Sequence, residues 1–493
     1  MAPGQPWNRY PAQVSSKRRS SGKREGRRQG LSGNPQRRAE QLASDRRAGR
    51  DPSVSPHRLT DHDRAAFREL AYRLAGGAFP EAWWPESHDR ILARARALTW
   101  PARLVDLETQ ACQIIGDEFY DRFRSPRTGL HPVQWLRALA EVTGAALRAA
   151  LAEGADDWHK LWVLLCGLAL TAPRTPADAV DETVSEKFPE FPDIEYPLET
   201  ALAEAQKFAK LAVGREVEPG LGRLADGCQP AGEALVARDV YGSRRVLVAP
   251  FGYDGGAPDH WYAWDIDSCW IDVVVGAGVF GSAEDALGEW RDAVGAAASG
   301  AALSPCPADM TAELLAPCLR TGPLADMLQG SEPRDLIREH YRLRRRARDL
   351  TGSAGAAAAS SSFDASQAHD AFADWYAARH GDVPGAVTEA VGTIHEMWGP
   401  HAYPDERSFR ACSPHRIEMA AHLIRESYFA DDANPALRLL PEWTEWCIEQ
   451  TGLDGDAAVR SREAARSAAT ALVHDEGDKR AAEDDKAPFR RQE

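Results

Sequence analysis

The sequence predicts a mainly α-helical protein with a small antiparallel α+β unit in the middle and disordered termini. Apolar residues recur three and four positions apart through most of the chain, which is the helical period. Alternation with a period of two, typical of strands, is concentrated at residues 234–280. Both ends are rich in charged and small residues and poor in aliphatic ones, so they cannot bury enough apolar surface to offset the entropy of ordering.

Three consecutive strands are predicted within the central stretch. In the middle one, residues 260–266, alternation places Tyr262 and Trp264 on one face and the side chains of Asp265 and Asp267 on the other. Short turn segments separate the strands, so neighbouring strands should pair antiparallel. We expect the aromatic rings to face a core and the two aspartates to lie on the solvent side of the sheet.

A glycine-rich segment follows the third strand. Gly276-Ala-Gly-Val-Phe-Gly281 has the spacing of a dinucleotide-binding loop, whose glycines let the backbone approach a pyrophosphate at a helix N-terminus. However, no second β-type run ending in a carboxylate follows, and Ser282 with Asp285 is itself a helix-start signal. We therefore predict a glycine turn before a capped helix, and we keep a nucleotide-binding enzyme using the Gly276–Gly281 loop as the alternative.

Helices are predicted on both sides of the sheet. They lie near residues 60–74, 87–98, 103–123, 132–153, 157–171, 198–213, 308–329, 332–350 and 386–398, and a further one begins at Ser413-Pro414. The longest apolar run, residues 161–170, is too short for a bilayer span of about 20 residues and predicts a buried helix. The helix at 332–350 is rich in arginine, and we expect it to be solvated and to contact acidic neighbours.

Charge is distributed unevenly along the chain. Residues 1–50 contain 13 Lys and Arg against 3 Asp and Glu, a net charge of +10, so the other residues carry −25 of the total of −15. Such a basic arm suits nucleic acid or an acidic protein partner. The residues predicted to bind nucleic acid are the densest cations of the arm: Lys17, Arg18, Arg19, Lys23, Arg24, Arg27 and Arg28.

Two groups of side chains have metal-ligand chemistry. His415, Glu418 and His422 share one sector of a predicted helix, a pattern that could hold zinc. Asp265, Asp267 and Asp272, with His260 nearby, could form a carboxylate site for a divalent ion. A solvated helix face and the solvent side of a sheet explain these groups more simply, so we predict no metal and no cofactor.

The remaining sequence signals bound the class of protein. The eight cysteines are scattered without a C-x-x-C pair, which favours a reducing cytoplasm over a disulfide framework. The basic N-terminus lacks the apolar segment of a secretory signal, and no membrane association is predicted. Nucleophile-elbow, Walker, zinc-protease and calcium-loop motifs are missing from the sequence.

One stretch resembles other proteins. Ser413-Pro414, a helix, Leu439-Leu-Pro-Glu-Trp-Thr-Glu-Trp446 and Thr451-Gly-Leu453 resemble the C-terminal region of uncharacterised proteins encoded by GC-rich bacterial genomes. Those proteins often have Trp-Leu-Pro-Arg after the first helix, where this chain has Glu426-Ser-Tyr-Phe429. The resemblance covers about 40 residues. It implies a recurrent helical module and no known activity.

These observations predict a non-enzymatic cytoplasmic adaptor or regulatory protein, with the nucleotide-binding enzyme as the alternative. The predicted organisation is a disordered basic arm (1–52), a helical domain (57–213), a small α+β unit (232–300), a helical connector (301–350), a linker (351–362), a helical C-terminal module (363–453) and a charged tail (454–493).

Overall fold

A computed structural model describes residues 83–99, 101, 103–123, 132–171, 228–253, 258–269, 272–320, 333–352, 363–364, 366–399, 402–403 and 406–470. The basic arm and the helices predicted at 60–74 and 198–213 lie outside these residues. Within them, helices dominate and surround a small antiparallel sheet, so the predicted fold class is confirmed.

The described strands are β1 (Gln229–Pro230), β2 (Leu235–Arg238), β3 (Arg244–Gly252), β4 (His260–Asp267), β5 (Val273–Phe280), β6 (Ser304–Pro305), β7 (Phe363–Asp364) and β8 (Ala402–Tyr403). The first six form one sheet in the order β5-β4-β3-β2-β6, with β1 also paired to β3, and β7 pairs with β8. Every pairing is antiparallel.

The described helices are α1 (Trp84–Ala95), α2 (Leu104–Phe123), α3 (Pro132–Glu153), α4 (Trp158–Thr171), α5 (Ala283–Val294), α6 (Ala308–Arg320), α7 (Pro333–Thr351), α8 (Ser366–His380), α9 (Gly385–Trp398), α10 (Glu406–Phe409), α11 (Pro414–Ser427), α12 (Ala430–Thr451) and α13 (Gly455–Thr470). A short 3-10 turn, Gly295–Ala298, follows α5. Among the described helices, none has the length and apolarity needed to cross a membrane.

The sheet is buried on both faces. Leu247 of β3 lies opposite Trp264 of β4, and these two side chains join the apolar core formed by α1 to α4, α6 and α7. On the other face, Val248 and Ala263 pack with Trp290 of α5. The predicted alternation is therefore confirmed, but the second face is covered by a helix.

The expectation that Asp265 and Asp267 face solvent is wrong. Asp265 is 1% exposed and Asp267 is 7% exposed. Asp265 accepts hydrogen bonds from Nε and Nη2 of Arg244 at 2.9 and 2.6 Å and from Nε1 of Trp290 at 3.0 Å. A buried carboxylate needs such partners, and the arginine is on the neighbouring strand while the tryptophan is on α5.

The predicted glycine loop is not a loop. Gly276 and Gly278 belong to β5, where they lie opposite Asp265 and Ala263 of β4. A β-bulge lies beside this glycine segment, between Asp265 and Ile266. Only Gly281 lies beyond the strand. The structure thus lacks, at this point of the chain, the strand-loop-helix geometry that a dinucleotide requires.

The helix that follows begins as the sequence predicts. Ser282 is extended and its hydroxyl accepts a hydrogen bond from the backbone N–H of Asp285 at 3.1 Å, so it is the N-cap of α5. The same arrangement begins α11, where the hydroxyl of Ser413 accepts from the backbone N–H of Arg416. Both predicted helix starts are confirmed, because a cap depends on residues only a few positions apart.

The arginine-rich helix α7 is buried, so its expected solvation is also wrong. It packs between α2 and the sheet, and four of its arginines are almost inaccessible: Arg342 at 1%, Arg344 at 4%, Arg345 at 6% and Arg346 at 0% exposure. Arg346 donates to Glu108 of α2 at 2.6 Å and lies over the ring of Phe251. These four cations of α7 are therefore partnered inside the protein.

A glycine permits the close approach of α2 to α7. A Cβ atom on Gly116 would lie 2.3 Å from the Cα of Arg338, a distance that requires the helices to separate. We expect Gly116→Ala to destabilise the protein by about 1–3 kcal/mol. Gly392 of α9 is a matched control because a Cβ there meets nothing within 4 Å. We expect Gly392→Ala to stabilise by up to about 1 kcal/mol, and urea unfolding of the two variants checks both signs.

The C-terminal helices form a second core. Phe372 of α8, Trp398 of α9, and Trp443 and Trp446 of α12 pack at its centre, with ring centroids 5.0–5.9 Å apart in the contacting pairs. Helix α13 packs on α11 and α12. This core touches the sheet through a buried hydrogen bond from Arg245 of β3 to the hydroxyl of Ser408.

Candidate functional site

Three side chains with metal-ligand chemistry meet where the sheet contacts the C-terminal helices. Asp267 ends β4, Cys269 follows two residues later, and His415 lies in the first turn of α11. One potential ligand atom from each lies within 4.8 Å of the other two, and among the described residues no other group of this kind occurs. All three side chains are buried, at 7%, 5% and 6% exposure.

Local hydrogen bonds hold this cluster of Asp267, Cys269 and His415. The backbone N–H of Cys269 donates to Oδ1 of Asp267 at 2.8 Å, which leaves Oδ2 directed to the histidine. Oδ2 lies 3.7 Å from Nδ1 of His415, and this nitrogen is buried without a hydrogen bond. The Sγ of Cys269 lies 3.4 Å from the hydroxyl oxygen of Ser413, the N-cap of α11.

The surrounding charges set the protonation of two of these groups. Burial by itself would raise the pKa of Asp267, but the nearby positive charges of His415 and Arg244 hold that pKa below its usual value. Burial, reinforced by the negative charge of Asp267, raises the pKa of the Cys269 thiol well above its usual value. Cys269 is therefore a neutral thiol, unlike catalytic cysteines, which are exposed and have lowered pKa values.

The structure rearranges both predicted metal-ligand groups. His415 meets Asp267 and Cys269 rather than Glu418 and His422, which lie further along α11 and outside the group. The four-residue carboxylate site does not assemble either: Asp265 is held by Arg244, and the ring of His260 stacks on Phe251, on the opposite face of the sheet. Cys269 was not predicted; the local signal was its position two residues after Asp267.

A second polar group is buried on the other face of the sheet. Oε2 of Glu108 accepts from Nη2 of Arg346 at 2.6 Å and from the hydroxyl of Tyr253 at 2.8 Å. The ring of His260 lies 5.8 Å from that of Tyr253, and neither of its nitrogens has a hydrogen-bond partner. Burial and the charges of Arg346, Arg342 and Arg103 lower the pKa of His260 from 6.5 to about 2. This histidine is neutral at physiological pH.

The predicted nucleic-acid-binding residues are not among those that the structure describes. Lys17, Arg18, Arg19, Lys23, Arg24, Arg27 and Arg28 all lie outside the described residues. Within the described residues, the turn at 381–384 precedes α9, which has no Lys or Arg that could contact phosphates. A helix-turn-helix mode of DNA reading is therefore not supported by this turn.

Comparisons with protein-family models, with curated proteins and with solved structures found no match for this chain.

Proposed function

We propose that the protein is a non-enzymatic cytoplasmic adaptor or regulatory protein that binds nucleic acid through its basic arm, residues 1–52. The observation that carries the proposal is that the arginines of α7, outside the arm, are buried in contacts within the protein. The arginine-rich helix α7 is engaged in internal contacts, whereas residues 1–50 have a net charge of +10 and the rest of the chain has −25. The buried arginines of α7 are therefore unavailable to an external polyanion, which favours the arm as the binding segment.

The internal contacts of α7 support this assignment. Arg342 pairs with Glu339, Arg344 donates to the carbonyl of Leu319, and Arg346 pairs with Glu108. These three arginines are at least 96% buried, so their guanidinium groups are not accessible to the phosphates of a nucleic acid. A nucleic acid that approached the body would thus meet a surface with a strongly negative total charge, which disfavours binding.

The composition of the arm favours nucleic acid over an acidic protein. Eleven of the 13 cations in residues 1–50 are arginine, whose planar guanidinium group matches phosphate oxygens two at a time. Trp7 and Tyr10 add rings that can stack on unpaired bases. Without a fixed base-reading element, binding should depend weakly on sequence.

The proposal is tested by fluorescence anisotropy with labelled single-stranded and duplex oligonucleotides of two unrelated sequences. We expect the logarithm of the affinity to fall linearly with the logarithm of salt, by about 0.7 per phosphate contacted on single strands and 0.9 on duplex. Deletion of residues 1–52 should abolish binding. Replacing the seven predicted residues, Lys17, Arg18, Arg19, Lys23, Arg24, Arg27 and Arg28, by serine should weaken binding more than tenfold and flatten the salt slope.

A chain with residues 1–52 in shuffled order is the matched control, because it keeps charge and composition. The shuffled chain should bind like the wild type if the charge of the arm alone determines its affinity for nucleic acid. Equal binding by the deleted and full-length chains, or binding that is indifferent to salt, would contradict the proposal. An arm that ignores nucleic acid but binds an acidic protein with the same salt dependence would replace nucleic acid by that class of partner.

The alternative, a nucleotide-binding enzyme that uses the Gly276–Gly281 loop, has less support. Its loop would have to cradle a pyrophosphate, and the segment instead forms β5, hydrogen-bonded to β4.

A further inference from the structure

The distance between the side chains of Asp267 and His415 is the first indication that an ion binds between them. Oδ2 and Nδ1 are 3.7 Å apart, too far for a hydrogen bond, although both side chains are buried and Nδ1 has no hydrogen-bond partner. Leaving a buried ring nitrogen without a partner is costly. Two ligands bound to one tetrahedral zinc ion at about 2.0 Å each are separated by about 3.3 Å. The observed spacing is close to that of two atoms sharing an ion.

The donor types narrow the choice of ion. A thiol, an imidazole and a carboxylate together are the ligands of zinc, whereas magnesium and calcium select oxygen donors. We propose that Asp267, Cys269 and His415 bind one Zn²⁺ ion through Oδ2, Sγ and Nδ1, with water as the fourth ligand. Binding forms the zinc–sulfur and zinc–nitrogen bonds, and it releases to solvent the thiol proton of Cys269 and the proton that Nδ1 of His415 carries when the imidazole is charged.

Neighbouring groups supply the support that a metal site needs. The backbone N–H of Cys269 donates a hydrogen bond to Oδ1 of Asp267, so the carboxylate would bind the ion through Oδ2 alone. The hydroxyl of Ser413 lies 3.4 Å from Sγ, and because its oxygen accepts the cap hydrogen bond from Arg416, its proton is free to be donated to the thiolate. Such partners fix the orientation of ligands and tune their affinity.

The position of the ion gives it a structural role. Asp267 and Cys269 are at the end of the central strand β4, whereas His415 begins α11 in the C-terminal core. Ser413 follows Cys269 by 144 positions in the chain. One ion therefore joins two elements that are remote in sequence and fastens the C-terminal core to the sheet.

The test uses the full-length chain, stripped of metal and then titrated with Zn²⁺ in competition with a chromophoric chelator. We expect one tight site per chain and a higher melting temperature with zinc. Cys269→Ser, His415→Gln and Asp267→Asn should each weaken binding at least about a hundredfold, since changing even an outer-shell partner costs 10- to 100-fold. Cobalt should give a thiolate-to-metal charge-transfer band that is lost only in Cys269→Ser among cysteine variants.

Two matched controls keep the test decisive. Cys306 is a buried cysteine outside the cluster that directly follows strand β6 of the same sheet, and His422 lies on α11 within the group that the sequence suggested. Cys306→Ser and His422→Gln should bind zinc like the wild type. Failure of the wild type to bind zinc, or unchanged binding in folded Cys269→Ser and His415→Gln, would overturn the proposal. If one ligand variant fails to fold, as judged by circular dichroism, Asp267→Asn and the cobalt spectrum decide.

Discussion

Replacing Glu108 by glutamine is expected to destabilise the protein by about 3–5 kcal/mol. The substitution keeps the shape of the side chain and an acceptor for the hydroxyl of Tyr253, but it removes the negative charge opposite Arg346. Both side chains are at most 1% exposed and are joined at 2.6 Å. Because water cannot replace the lost partner, the guanidinium group would remain buried with an uncompensated charge.

A double-mutant cycle separates the cost of leaving one buried charge unpaired from the interaction energy between Glu108 and Arg346. Arg346→Met should also destabilise, since it leaves the carboxylate of Glu108 unopposed. The double variant Glu108→Gln/Arg346→Met should be less destabilised than the sum of the single changes, with an interaction energy of about 1–3 kcal/mol. Free energies of unfolding from urea titrations followed by tryptophan fluorescence give all three values.

The control is an exposed pair of the same chemistry. Arg137 and Glu141 of α3 lie one helical turn apart, with side chains 36% and 53% exposed. Glu141→Gln should change the stability by no more than about 0.5 kcal/mol. If Glu108→Gln is as mild as Glu141→Gln, or if the double variant is simply additive, the buried pair does not stabilise α7 against α2.

This pair also shows why the sequence predicted the elements better than their environments. Helix α3 begins and ends at the predicted residues, and α5 and α11 start at the predicted positions, because periodicity and capping depend on neighbours in the chain. The burial of α7 depends on Glu108, which precedes Arg346 by 238 positions. A run of arginines has the same local pattern whether it faces water or a distant carboxylate.

The candidate metal site was predictable only in part for the same reason. Asp267 and His415 were each recognised by residue type, but each was grouped with its neighbours in sequence. The sheet brings Asp267 to the start of α11, and no local pattern records that contact. The glycine segment shows the opposite case, in which a local pattern matches a motif that the fold does not form. Its spacing fits a phosphate loop, but the segment pairs with β4 as a strand.

Acid is expected to destabilise the wild type more than a His260→Phe variant. His260 is buried, and burial together with the charges of Arg346, Arg342 and Arg103 lowers its pKa from 6.5 to about 2. Below pH 6.5 the unfolded chain binds a proton that the folded chain rejects. The stabilisation is therefore complete above pH 6.5 and is lost as the pH falls, by about 1.4 kcal/mol per pH unit.

Phenylalanine should be accepted at this position because neither ring nitrogen of His260 makes a hydrogen bond, and Phe251 already stacks on the ring. Between pH 7 and pH 5, the stability of the variant relative to the wild type should rise by about 2 kcal/mol. Urea unfolding at several pH values measures this difference. His159 is exposed, and His159→Phe, the same substitution at the surface, serves as the control.

The same titration reports on Arg346. Its positive charge is the first electrostatic cause, after burial, of the low pKa of His260. In an Arg346→Met background, the pKa of the folded-state histidine should rise, and the advantage of His260→Phe at pH 5 should shrink. An advantage that is independent of pH would mean that His260 binds its proton equally in the folded and unfolded chains. An advantage unaffected by Arg346→Met would mean that desolvation alone keeps the imidazole neutral.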